Sequence, residues 1–129
     1  MAHELAKILP FPQNSPGKMT HLQVAIGIIV DGGRLLVTRR RQGSHLPGKW
    51  EFPGGKIHPG ESAAACLHRE LAEEPGVTVA VLASMEQMSY DYDGVRVTLH
   101  PFVVKITGGT PAALAADELR WISLEQADR

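Results

Sequence analysis

Cysteine is nearly missing from this chain, and its scarcity excludes a whole class of scaffold. Only Cys66 carries a thiol among 129 residues, so no intrachain disulfide can form and a reducing, cytoplasmic setting is expected. Its place in AAACLHREL predicts small-residue packing on a helix, not thiol chemistry. The six histidines, at positions 3, 21, 45, 58, 68 and 100, form no i,i+4 pair and no Cys/His spacing suited to zinc. No apolar run is long enough to span a membrane and no signal-peptide pattern is present, so no membrane partner is expected. Net charge is also missing. Thirteen Lys and Arg against 14 Asp and Glu leave a formal −1, which provides no field to gather a nucleic-acid polymer or an anionic membrane.

What the chain does have is apolar content for one core, 43% of its residues. The first 18 residues carry Pro10, Pro12 and Pro16 without periodicity and read as a loosely ordered extension, with one domain over 19–129. From Leu22 a β-rich run reaches Val30. Asp31-Gly32-Gly33 turns, and a second run from Arg34 to about Arg40 completes a hairpin. Pro47-Gly48 interrupts, Trp50 to Phe52 is a short strand, and Pro53-Gly54-Gly55 leads toward a helix, with a plain tight turn as its simplest reading. Strands are expected over Val77 to Ala83, Gln87 to Tyr92, Val95 to Ile106 and Leu119 to Ile122, with a loop at Gly108-Gly109 and Pro111. Several β-segments around one strong helix, without βαβ alternation, indicate an α+β domain with a mixed sheet.

That helix lies in GKIHPGESAAACLHRELAEEPGV, residues 55–77. Ser62 is a natural cap, and the alanines and leucines after it favour helix. On a 100° wheel Ala63, Ala64, Leu67 and Leu71 share a stripe, Glu70 and Glu74 lie at its edge, and Glu73 sits further round. Three carboxylates near a helix C-terminus oppose the macrodipole and repel one another. Such a run is often a solvated face with Arg69 and Glu73 as an i,i+4 pair. A bound divalent cation is the other resolution, and Mg²⁺ takes oxygen ligands that it shares with substrate phosphates.

The full spacing decides between them. Gly55, Glu61, Arg69-Glu70-Leu71, Glu73-Glu74, Gly76 and Val77 meet every fixed position of a pattern that resembles the Nudix box. LQVAIGIIV, RLLVTRRR and WEFPGGK are similar to the first strands of the MutT-like branch, so the resemblance covers about residues 22 to 124. It implies a Nudix α/β/α sandwich and hydrolysis of a nucleoside triphosphate to the monophosphate and pyrophosphate, assisted by Mg²⁺ or Mn²⁺, with 8-oxo-dGTP among the candidate substrates. A mononucleotide suits the neutral charge balance better than a polymer. The resemblance further implies a metal held by the Gly54 carbonyl, Glu70 and Glu74, with Glu73 coordinating or orienting water and Arg69 positioning its glutamate neighbours. Glu61 would support the loop and helix. Arg40 would contact a substrate phosphate, and Gly54 and Gly55, without a Cβ, would let backbone approach the ligand. Phe52, Tyr90 and Tyr92 could offer flat faces to a base, although aromatics in strands are more often core, and Tyr92 falls where the resemblance places a base-packing aromatic. Glu118 and Asp117 are available as a completing acid, although Arg120 stands directly before Trp121. Pyrimidine triphosphates, ADP-ribose, and a non-catalytic nucleotide-binding module are the alternatives, and the complete set of box glutamates favours the enzyme. Ser123-Leu124-Glu125-Gln126 has capping-box spacing, but the closing helix of such relatives, with its purine reader, is not expected here. Modest base preference follows, with an open, partly apolar surface that a second subunit would cover as a homodimer.

Overall fold

The computed structural model describes residues 20–39 and 50–127. β1 (Thr20–Asp31) and β2 (Arg34–Arg39) form the expected hairpin, with φ of 57° and 78° at Gly32 and Gly33. Positive φ at both central residues matches the turn to the strand twist, and glycine adopts it without a Cβ penalty. β3 (Trp50–Glu51), β4 (Gly54–Lys56) and the helix α1 (Ala63–Glu73) follow. β5 (Thr78–Ser84), β6 (Met88–Tyr92), β7 (Val95–Gly108), β8 (Glu118–Ser123) and the one-turn helix α2 (Leu124–Ala127) come next. Among these elements no helix is long and apolar enough to cross a membrane.

The strands pair into one mixed sheet, so the expected α+β class holds. β1 runs parallel to β7, with Thr20 opposite Val95 and Ile29 opposite Val104. Its other edge is shared. β4 occupies it at Val24–Ile26 and β2 at Val30–Asp31, so the sheet forks along β1. β8 pairs with β2 from Arg34 opposite Ser123 to Arg39 opposite Glu118, while β5 and β6 line the far edge of β7. The strand β4 stands where a plain tight turn was the simplest reading of Pro53-Gly54-Gly55. Gly-Gly has little β propensity of its own, and the ladder to Ala25 and Ile26 is what makes it a strand.

Both faces of β1 are buried over Val24–Gly27, because each face meets its own core. Val24, Ile26, Leu35, Val37, Phe52, Val95, Val97 and Leu99 pack on one side. Ala25, Ile29, Leu36, Cys66, Leu67, Leu71, Val77, Val79 and Val104 pack on the other, beneath α1. The helix begins where the Ser62 Oγ accepts the Ala65 N–H at 3.0 Å. It ends at Pro75 and Gly76, whose φ of 76° turns the chain so that the Val77 N–H donates to the Leu71 carbonyl at 2.9 Å. The buried stripe is Cys66, Leu67 and Leu71, with Ala64 exposed, so the stripe is turned slightly from the expected one. A segment after β7 is strapped to the end of α1. The N–H groups of Ala112 and Leu114 donate to the Pro75 and Glu74 carbonyls at 2.9 and 3.2 Å, and Asp117 N–H then reaches the Arg39 carbonyl at 3.0 Å. At α2 the capping box forms, with Ser123 N–H on Gln126 Oε1 at 2.8 Å and Gln126 N–H on Ser123 Oγ at 3.2 Å.

Two glycines let these layers close. A methyl at Gly27 would meet the Leu71 Cδ1 at 2.9 Å and the Leu67 Cδ1 at 3.1 Å, both ends of side chains that can rotate. A methyl at Gly54 would strike the Ala25 carbonyl oxygen and lie 2.8 Å from Ile26 Cα, backbone that cannot give. Gly54→Ala is therefore expected to cost about 2–3 kcal/mol in urea denaturation, and Gly27→Ala only about 1 kcal/mol. Equal losses would show that β4 is not held so tightly on β1.

Candidate active site

Arg69 organises the acidic end of α1. Its Nε donates to Glu61 Oε2 at 2.8 Å and its Nη2 to Glu61 Oε1 at 2.9 Å, a two-pronged contact that suits the planar guanidinium. Its Nη1 donates to Glu70 Oε1 at 2.7 Å and lies 3.6 Å from Glu73 Oε2, and Nη2 also reaches the Lys56 carbonyl at 3.1 Å. Arg69 thus contacts both Glu70 and Glu61. Hydrogen bonds from Arg69, joined by the His58 N–H, hold the Glu61 carboxyl down at about 2, against 4.5 ordinarily. The guanidinium is held protonated in return, first by Glu61.

Glu70 lies against Gly55. A Cβ there would collide with the Glu70 carboxyl carbon, with its oxygens at 2.5 and 2.7 Å, so glycine leaves the space that this carboxylate fills. Cys66 lies beneath the same backbone, its thiol directed at the Lys56 and Gly55 carbonyls at 3.3 and 3.5 Å. Burial pushes this thiol up to about 11, in line with the packing role expected for it.

Glu74 spans the fork in the sheet. Its Oε1 accepts the Thr38 hydroxyl of β2 at 2.9 Å, and its Oε2 lies 3.4 Å from the Gly54 N–H of β4. Glu73 points outward, with 62% of its side chain exposed. The three glutamates at the end of α1 therefore divide into two, Glu70 and Glu74, held against the sheet and one, Glu73, facing water. Among the described residues no three His, Cys, Asp or Glu side chains converge as a ready-made metal cage. Their chemistry still fits a hard divalent cation. The donors are all oxygens, the Gly55 cradle seats Glu70 close to backbone, and Mg²⁺ needs only one or two protein carboxylates when waters and phosphates complete its shell.

Two expected residues lie elsewhere. Glu118 pairs with Arg39 at 3.4 Å and Arg120 at 3.2 Å. Neighbouring side chains on β2 alternate in direction, and Thr38 faces Glu74, so Arg39 and its partner Glu118 occupy the opposite face. Glu118 is thus an ion-pair residue and does not complete the acidic group of α1. Phe52 is 8% exposed within the core on that opposite side, so its ring packs and does not stand open to a base. Tyr92 ends β6 opposite Val95. Arg40 lies outside the described residues. Thr38, by contrast, gave little signal in the sequence beyond being the one hydroxyl in the apolar run LLVTR.

With this geometry the family can be stated. The model of the NUDIX domain matches residues 19–129. The chain belongs to the Nudix family. It is 36% identical over 107 residues to the 8-oxo-dGTP diphosphatase of Escherichia coli (strain K12), covering 82% of this chain and 83% of that protein. It is 35% identical over 109 residues to the CTP pyrophosphohydrolase of the same organism, covering 84% and 81%. The solution structure of the E. coli ORF135 protein superposes with a TM-score of 0.72 at 33% identity, over 88% of this chain and 81% of that one. The crystal structure of the MutT protein from Methanosarcina mazei Go1 gives 0.75 at 28% identity, over 87% and 83%. The fold is the Nudix fold, the protein is a Nudix hydrolase, and a divalent metal ion belongs to its chemistry.

The Glu61–Arg69 contact gives a pH signature. A carboxyl lowered from 4.5 to about 2 stabilises the fold fully above pH 4.5, and that contribution disappears as pH falls through 2. The Tm difference between wild type and Glu61→Gln should be constant above pH 4.5 and shrink steadily toward pH 2. Parallel curves across that window would contradict the assignment.

Proposed function

We propose that this Nudix hydrolase cleaves a nucleoside triphosphate to a nucleoside monophosphate and pyrophosphate with Mg²⁺, Mn²⁺ serving as a substitute. The observation that carries the reading is the seating of Glu70 and Glu74 against the Gly54–Gly55 backbone, where no Cβ intervenes. Glu70, Glu74 and the Gly54 carbonyl would hold the cation. A divalent ion there neutralises phosphate oxygens and lowers the pKa of bound water. Arg69 keeps Glu70 aimed at the glycine backbone, and Glu73, exposed to solvent, orients the attacking water and takes its proton. Arg40 contacts a phosphate, where a guanidinium suits paired oxygens, and Tyr92 packs against the base.

The similarity to an 8-oxo-dGTP diphosphatase supports an oxidised purine nucleotide as substrate. The similarity to a CTP pyrophosphohydrolase, at nearly the same identity, supports a pyrimidine triphosphate as the second reading. A lone, buried thiol suits work in the cytoplasm. Val81, Leu82, Met85 and Met88 expose apolar surface along β5 and β6, which a homodimer would cover.

Glu74→Gln tests the site. It removes one ligand charge while keeping the shape, so turnover of 8-oxo-dGTP and CTP should fall by at least about a hundredfold. Circular dichroism should stay unchanged, and the metal-free Tm should not fall, since like-charge repulsion is relieved. Near-normal pyrophosphate release from the variant would sink the ligand assignment, and inorganic phosphate as the sole product would sink the reaction type.

A further inference from the structure

The box glutamates have an unassigned companion on the sheet. Thr38 is 1% exposed, and its hydroxyl donates to Glu74 Oε1 at 2.9 Å across 36 residues of sequence. Its place in β2 between apolar Val37 and half-buried Arg39 gives its β-branched side chain little rotational freedom. We propose that Thr38 is a positioning residue for the metal site, fixing the Glu74 carboxylate over the fork between β2 and β4. The proposal rests on Glu74 being a ligand, as argued above.

Glu74 is the C-cap residue of α1, where a long side chain would otherwise sample several rotamers. A carboxylate has about four acceptor positions, so one hydroxyl donor on Oε1 sets its plane and still leaves lone pairs for a cation. The Thr38 hydroxyl, at 2.9 Å from Oε1, holds that plane more firmly than the Gly54 N–H, at 3.4 Å from Oε2. The arrangement is also reciprocal. A hydroxyl this deeply buried is costly without an acceptor, so Thr38 and Glu74 hold each other in one geometry.

Groups that orient a metal ligand typically affect affinity by about 10- to 100-fold when removed. The test is direct binding, with Mn²⁺ titrated into the full-length protein and free Mn²⁺ followed by electron paramagnetic resonance. Thr38→Ala and Thr38→Ser both lose the methyl group and differ in the hydroxyl alone. Thr38→Val, which keeps the shape without the donor, is the matching variant if alanine does not fold. Alanine or valine should weaken Mn²⁺ binding by about tenfold. Serine should stay near wild type, and Thr38→Ala should add little in a Glu74→Gln background. A merely structural threonine would lower Tm in both variants and leave their affinities equal. If alanine and serine bind Mn²⁺ alike while Glu74→Gln binds weakly, Thr38 is not a positioning residue and the ligand reading stands. If Glu74→Gln itself binds Mn²⁺ normally, the ligand reading falls, and this inference with it.

Discussion

The guanidinium of Arg69 joins three parts of the chain that would otherwise repel or drift apart. Glu61 comes from the loop before α1, Glu70 and Glu73 from the helix itself, and the Lys56 carbonyl from β4. Without that cation, a carboxylate cluster at the negative end of a helix dipole would spread into solvent. With it, Glu70 is pulled toward the sheet and only Glu73 is left facing water. A lysine could not replace it, because a point charge has no fork to hold Glu61 with two donors and Glu70 with a third.

The second condition lies in the sheet. β1 changes neighbour along one edge, from β4 to β2, and a ladder that divides in this way would leave its two branches free to move independently. Glu74 reaches across that division to Thr38 on one branch and toward Gly54 on the other. The strap from Ala112 to Asp117 ties the same two regions by backbone, from the end of α1 to the end of β2. Helix α1 and the forked sheet are thus joined across this division by two independent contacts, one through a side chain and one through main chain.

Helix α1, its Ser62 cap and the i,i+4 pairing of Arg69 with Glu73 were legible because they depend on residues close in sequence, where spacing alone fixes geometry. The hairpin at Gly32-Gly33 was legible for the same reason. The strand at Gly54–Lys56 was not, since its identity comes from pairing with Ala25 and Ile26, about 30 residues away. Glu118 stood in the sequence only as an available acid, because its facing depends on the register of β8 against β2, which no local pattern reports. Cys66 took the burial expected of Ala64 because the axis of the wheel is set by where Leu67 and Leu71 meet Gly27. Phe52 illustrates a different ambiguity. An aromatic in such a strand suits a ligand face or, more often, a core, and the core on the far side of the sheet claims it.

At positions 54 and 55 the wall of the site is made of main chain. Side chains can be exchanged one at a time to enlarge, shrink or recharge a pocket, but a backbone wall has no side chain to exchange. Any residue larger than glycine at 55 displaces Glu70, and at 54 it collides with β1. Substitution at these two positions can therefore abolish the arrangement around Glu70 and Glu74 but cannot retune it.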